Sequence, residues 1–127
     1  MDLIYAELTY QLRGLLFEVH NTLGKYCNEK QYSDAVENRL KAKKIVYKRE
    51  FVLPISFEGE NEGRNKIDFL INNQLVLEVK AKRIISREDY YQVQRYLHAL
   101  NKKLALLVNF RSPYLHIKRI INSSAPM

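Results

Sequence analysis

The chain has 127 residues, 46% hydrophobic and 28% charged, near the globular average, which excludes a largely disordered polypeptide and points to a single domain over residues 1–127. Lys and Arg number 21 against 14 Asp and Glu, a net charge of +7 that draws a small domain toward polyanions such as nucleic acid. The short apolar runs exclude a transmembrane helix, and the single Cys27 excludes an intramolecular disulfide, a cysteine zinc site or a cysteine-ligated iron–sulfur cluster. The opening residues, with Asp2 and Glu7, lack the basic and apolar regions of a secretory signal, so a cytoplasmic protein is expected.

From Leu3 to Leu23, the residues Leu8, Leu12, Leu15, Leu16, Val19 and Leu23 recur at helical spacing, and Gly24 suits the helix end. A second helix is predicted over Glu29–Lys43, burying Tyr32, Ala35, Val36 and Leu40. A β-rich stretch follows from Ile45 to Phe57, with Pro54 near its far end as in an edge strand. Glu58–Asn65 reads as a turn, and short strands are predicted over Lys66–Ile71 and Leu75–Lys80. Ser86, with Asp89 three residues on, resembles a capping box that opens a helix to about Leu100; its inner stripe is Tyr90, Val93, Leu97 and Leu100. Leu104–Phe110 is apolar enough for a strand covered on both faces, and Tyr114–Ile121 suits an outer strand. The order α-α-β-β-β-α-β-β describes an α/β domain, a mixed β-sheet flanked by helices.

The segment Lys66–Lys80 carries the chemistry. Ile67, Phe69, Ile71, Leu75, Leu77 and Val79 alternate with Asp68, Leu70, Val76, Glu78 and Lys80. If every odd residue shares one buried face, Ile71 pairs with Leu75 across a three-residue turn, Asn72-Asn73-Gln74. Asn tolerates the left-handed backbone that such a turn needs. This register sets Asp68 opposite Glu78, with Cβ atoms roughly 4.5–5.5 Å apart. Two carboxylates that close need a cation between them or a raised pKa. Oxygen donors from Asp68, Glu78 and a backbone carbonyl such as that of Val79 suit Mg²⁺ or Mn²⁺. Lys80, two residues further along the same face, is placed to orient a water or to stabilise phosphoryl charge. The alternative is a solvated polar face in which Lys80 is a simple ion-pair partner.

With its surroundings, the pattern resembles the restriction-endonuclease-like PD-(D/E)XK nuclease superfamily, most closely its small stand-alone GxxExxY proteins, over roughly Leu8 to Ile121. Val19-His20-Asn21-Thr22-Leu23-Gly24 is similar to the family's Val-His-x-x-Leu-Gly stretch, and Glu29-Lys30-Gln31-Tyr32 to its Glu-x-x-Tyr. Asp68 and Glu78-Val79-Lys80 match the Asp and Glu-x-Lys motifs, and Gln92–Leu97 the Gln-x-x-x-Tyr-Leu helix. Leu107–Phe110 with Lys118–Ile120 is similar to the closing strand pair. The departure is Tyr26, which stands where the family has glycine.

The resemblance implies a restriction-endonuclease-like fold and a Mg²⁺- or Mn²⁺-dependent nuclease, with DNA favoured over RNA. Asp68, Glu78 and the Val79 carbonyl are the expected metal ligands and Lys80 the catalytic lysine. Glu29 is expected as a third acid reaching the metal or its waters, and Gln92 as a residue that orients substrate or water. Lys82, Arg83 and Arg87 are expected to grip nucleic acid, and Tyr96 to serve as packing or as a phosphate contact. Lys41, Lys43, Lys44, Lys48 and Arg49 form a second basic cluster. His20 is expected to be a partly buried, hydrogen-bonded histidine, and His98 and His116 to lie on the surface. A basic monomer this small covers little duplex, which leaves room for a homodimer. The other reading is a non-cleaving module that binds nucleic acid or a partner protein.

Overall fold

The computed structural model describes residues 4–127; Leu3, the predicted start of the first helix, lies outside them. The elements are α1 (Ala6–Leu23), α2 (Glu29–Ala42), β1 (Tyr47–Val52), β2 (Lys66–Ile71), β3 (Leu75–Lys80), α3 (Arg87–Leu100), β4 (Leu104–Asn109) and β5 (His116–Ile121). The order is the one the sequence predicts. The first strand is shorter than expected, because it stops two residues before Pro54, which lacks the N–H a ladder needs.

Local chemistry explains the helix ends. Gly24 takes a positive φ of 74° after α1, a backbone state glycine reaches without strain. Asn28 opens α2 through a reciprocal capping box with Gln31, and Ser86 opens α3 through one with Asp89. Each box satisfies N–H groups that the first turn leaves without partners.

The five strands lie in the order β1-β2-β3-β4-β5. Only the β3–β4 pair is parallel, and α3 provides its crossover. Helices α1 and α2 cover one face, where Leu12, Leu15, Leu16, Tyr32 and Val36 meet Phe69, Leu77, Val79 and Leu106. Helix α3 covers the other, with Val93, Tyr96 and Leu97 against Leu70, Val76, Ala105 and Leu107. Every residue of β4 is buried, as its apolar run demands.

The hairpin adopts the predicted register, with Ile71↔Leu75, Leu70↔Val76 and Phe69↔Leu77. Asn72 and Asn73 take the left-handed backbone, at φ 52° and 53°. One expectation fails: the odd residues do not all share a face. Ile67 packs in the α3-side core, whereas Phe69, two residues on, packs against α1 and α2. The cause is a break at Glu50 and Asp68. The β1–β2 pairing passes from Arg49↔Phe69 to Phe51↔Ile67 with no Glu50–Asp68 pair between them, and Glu50 has a φ of 53°. A left-handed residue inside a strand turns the pleat, so Tyr47 and Phe51 also end on opposite faces.

Candidate active site

Asp68 sits where the sheet opens. The β2–β3 pairing ends at Phe69↔Leu77, and beyond it the acidic side chains take over the backbone's bonding. The Asp68 N–H donates to Glu78 Oε2 at 2.7 Å, and the Val79 N–H donates to Asp68 Oδ2 at 2.7 Å. Asp68 and Glu78 therefore meet, but through side-chain-to-backbone bonds and not as the directly opposed ladder pair that the register predicts. Each carboxylate is anchored on the other strand, so both are fixed by the hairpin itself.

Glu78 is 3% exposed. Burial first, and the neighbouring Asp68 charge second, push its carboxyl well above the ordinary range, with Lys80 opposing them only in part. A buried carboxylate beside a half-buried one, with too little positive charge between them, is poised to take up a cation. Among the described residues, no three His, Cys, Asp or Glu side chains gather into a metal-holding group. The donor set is thus a carboxylate pair on adjacent strands. That set fits Mg²⁺ or Mn²⁺, which bind through one or two carboxylates and keep several waters.

Lys80 extends from the end of β3 toward α3. Its Nζ donates to Gln92 Oε1 at 3.4 Å and lies 4.0 Å from Asp89 Oδ1. The two-residue step from Glu78 keeps both on the α3 face, and the position of Gln92 on the first turns of α3 brings it to the lysine. Asp89 is the hub of this corner. It caps α3 at Ser86 and holds Lys82 Nζ at 2.8 and 3.0 Å. Burial works against its charge, but Lys82 and the Ser86 N–H and hydroxyl outweigh burial and hold the Asp89 pKa below the ordinary carboxylate value. From the sequence Asp89 was legible as a capping residue only.

Glu29 opens α2 on the other side of Asp68. It lines a cavity of about 180 Å³ together with Lys30, Ser33, Arg49, Glu50 and Asp68. The break in β1 thus brings in Glu50, an acid for which strand periodicity offered no signal. Tyr32 fixes the approach to Glu29: it stacks on Phe110 at 4.3 Å, donates its hydroxyl to the Gly24 carbonyl and accepts from the Cys27 N–H. Gly24 supplies the left-handed residue of this turn, while Tyr26 is 85% exposed and needs no positive φ. Tyrosine is therefore accommodated where the family has glycine.

Arg83 and Arg87 are exposed, whereas Lys82 is committed to Asp89. Tyr96 is 5% exposed inside the α3-side core, the packing role of its two expected ones. Burial, then the charge of Glu78, raises its pKa. The second basic cluster is partly neutralised: Lys43 pairs with Glu18, and Arg49 with Asp34 and Glu37. His20 is buried, with Nε2 2.9 Å from the Ser112 carbonyl, and His98 and His116 are exposed. Asn109, which the sequence offered only as part of the closing strand, bonds the Lys82 backbone from the end of β4.

The profile of the PD-(D/E)XK nuclease superfamily matches residues 6–120. Neither the curated proteins nor the solved structures yield a match. No helix among the described residues is long and apolar enough to cross a membrane.

Proposed function

The chain belongs to the PD-(D/E)XK nuclease superfamily, and on that premise we propose that it is a Mg²⁺- or Mn²⁺-dependent nuclease that hydrolyses phosphodiester bonds, DNA before RNA. The observation that carries this reading is buried Glu78, cross-anchored with half-buried Asp68 on the neighbouring strand, with Lys80 two residues beyond Glu78 on the same face. Within the superfamily, Glu29 and Tyr32 together with the Gln92 helix favour the GxxExxY type.

Asp68 and Glu78 hold the ion, with the Val79 carbonyl completing the protein's share. When bound, the ion stabilises negative charge on a phosphoryl oxygen. Lys80 places a fixed ammonium beside the scissile phosphate, donating to a phosphoryl oxygen or to the attacking water. Gln92 accepts from Lys80 and so sets the direction in which its remaining N–H bonds point. Glu29, in the same cavity as Asp68, orients water from the α2 side. Arg83 and Arg87 hold the nucleic-acid backbone, Lys82 adds charge beside Asp89, and Tyr96 packs behind the acids.

The test is a panel of DNA and RNA substrates incubated with Mg²⁺ and with Mn²⁺. Wild-type protein is expected to cleave with metal and not with EDTA. Lys80→Ala, Asp68→Ala and Glu78→Ala are expected to lose activity at least about a hundredfold while keeping their circular dichroism. Cleavage that survives all three substitutions refutes the assignment. Mn²⁺ binding without cleavage of any substrate establishes the non-cleaving module instead. Light scattering with and without DNA decides whether a second copy extends the contact.

A further inference from the structure

Two adjoining cavities, of about 360 and 420 Å³, run along the α3 face from the loop after β3 to the outer strand β5. They share Ile85 and Lys118, so they form one trough. Asn109, which bonds the backbone of Lys82, lines its inner end, and Arg83 stands three residues beyond Lys80. The trough therefore starts at the corner that holds the catalytic lysine.

Its lining sorts by chemistry. Arg83, Arg87 and Lys118 supply positive charge, and no Asp or Glu lines either cavity. Among the described residues, none of these three cations has an ion-pair partner, in contrast to Lys82, Arg49 and Lys43. Between them lies apolar and aromatic surface. Ile84 is 68% exposed and Tyr91 50%, while Lys118 Nζ sits 5.3 Å from the centre of the Tyr90 ring.

A duplex presents phosphates to a protein surface and keeps its bases stacked and paired, so it would leave Ile84 and Tyr91 unmatched. An unpaired strand offers both a backbone for the cations and base faces for the aromatic rings. We infer that this trough binds single-stranded nucleic acid and guides it to the Asp68–Glu78–Lys80 corner. The inference names the substrate class of the nuclease proposed above and rests on that reading for its direction, but binding in the trough needs no catalysis.

The full chain in EDTA is titrated against fluorescent oligo-dT and oligo-rU of about 15 nucleotides and against a duplex of similar length. Fluorescence anisotropy is expected to show at least one single strand bound about tenfold tighter than the duplex. Arg87→Ala/Lys118→Ala is expected to weaken single-strand binding about tenfold and to lower the slope of log K against log salt by about 1.4, roughly 0.7 for each lost phosphate contact. Tyr91→Ala is expected to weaken single strands about tenfold and leave the duplex unchanged, as lost base stacking requires. Melting curves confirm that the variants are folded. Equal or tighter duplex binding, or variants that bind single strands like wild type, overturns the inference. Selective binding with no cleavage in Mn²⁺ leaves the inference standing and removes the nuclease reading. Cleavage without strand preference does the reverse.

Discussion

The carboxamide of Asn109 bonds the backbone of Lys82 twice: Oδ1 accepts from its N–H at 3.1 Å, and Nδ2 donates to its carbonyl at 2.8 Å. The parallel β3–β4 pairing ends at Lys80↔Asn109, and these two bonds carry the connection past that end. They hold the chain that leaves Lys80 against the neighbouring strand.

Asn109→Ala leaves the partly buried N–H and carbonyl of Lys82 without these partners. It is expected to lower unfolding stability by about 1–3 kcal/mol, read from the urea midpoint. It is also expected to reduce the kcat of cleavage more than it changes KM, because Lys80 loses its support while the cations and aromatic rings of the trough remain. A midpoint unchanged from wild type would show that the two bonds do not hold this corner.

Glu78→Gln keeps an acceptor for the Asp68 N–H and removes a buried charge from beside Asp68. The raised Glu78 pKa means that the folded protein binds a proton which the unfolded chain releases, so metal-free stability falls as pH rises above about 4.5, the ordinary Glu value. The variant is expected to lose this fall and to melt no lower than wild type in EDTA at pH 8. Mn²⁺ at a hundred times its Kd is expected to stabilise wild type by about 2.7 kcal/mol, several degrees of melting temperature. Glu78→Gln is expected to lose most of that gain. An equal Mn²⁺ shift in both proteins would place the metal elsewhere.

Asp89 has a lowered pKa, so its contribution has the opposite sign. Ionised Asp89, bonded to Lys82 and Ser86, stabilises the fold above the ordinary Asp value of 3.8, and the contribution disappears as pH falls through the lower folded value. Asp89→Asn keeps part of the cap but loses the ion pair. Urea unfolding from pH 2 to pH 7 is expected to show the variant about 1 kcal/mol less stable near neutrality. The gap should close at the acid end; a gap that persists there assigns the loss to the cap alone.

Tyr47 donates to Glu37 Oε2 at 2.7 Å. Burial, then that bond, pushes its pKa up to about 12. The neutral phenol favours the folded state, so its contribution is complete below pH 10 and disappears between pH 10 and about 12. Absorbance titration of wild type against Tyr47→Phe is expected to give a difference curve centred near pH 12. A difference centred near pH 10 would mean that the bond to Glu37 is not formed in solution.

How much was legible in the chain beforehand depends on the distance over which each feature is encoded. The Ser86–Asp89 box, the helical stripes and the Asn72-Asn73-Gln74 turn are written within a few residues of one another, because capping, periodicity and left-handed turns are local chemistry. The apolar alternation beside the turn sets Ile71 against Leu75, and counting along the strands then brings Asp68 close to Glu78. The family motifs added Glu29 and Gln92, which periodicity could not select.

Other features arise only when separate elements meet. The change of face at Asp68 depends on Glu50 in a different strand and on which helix covers each side of the sheet. Asp89 becomes the partner of Lys82 as well as a cap only after β3 and α3 have packed. Asn109 reaches Lys82 across 27 positions of chain, a separation that leaves no periodic trace because nothing between the two residues takes part in the contact. The amino-acid order therefore determined the elements, the hairpin register and the pairing of the two acids. Tertiary packing decided which side of the sheet each acid faces, which cations remain uncommitted and where a strand-sized trough opens, since these depend on how whole surfaces fit together.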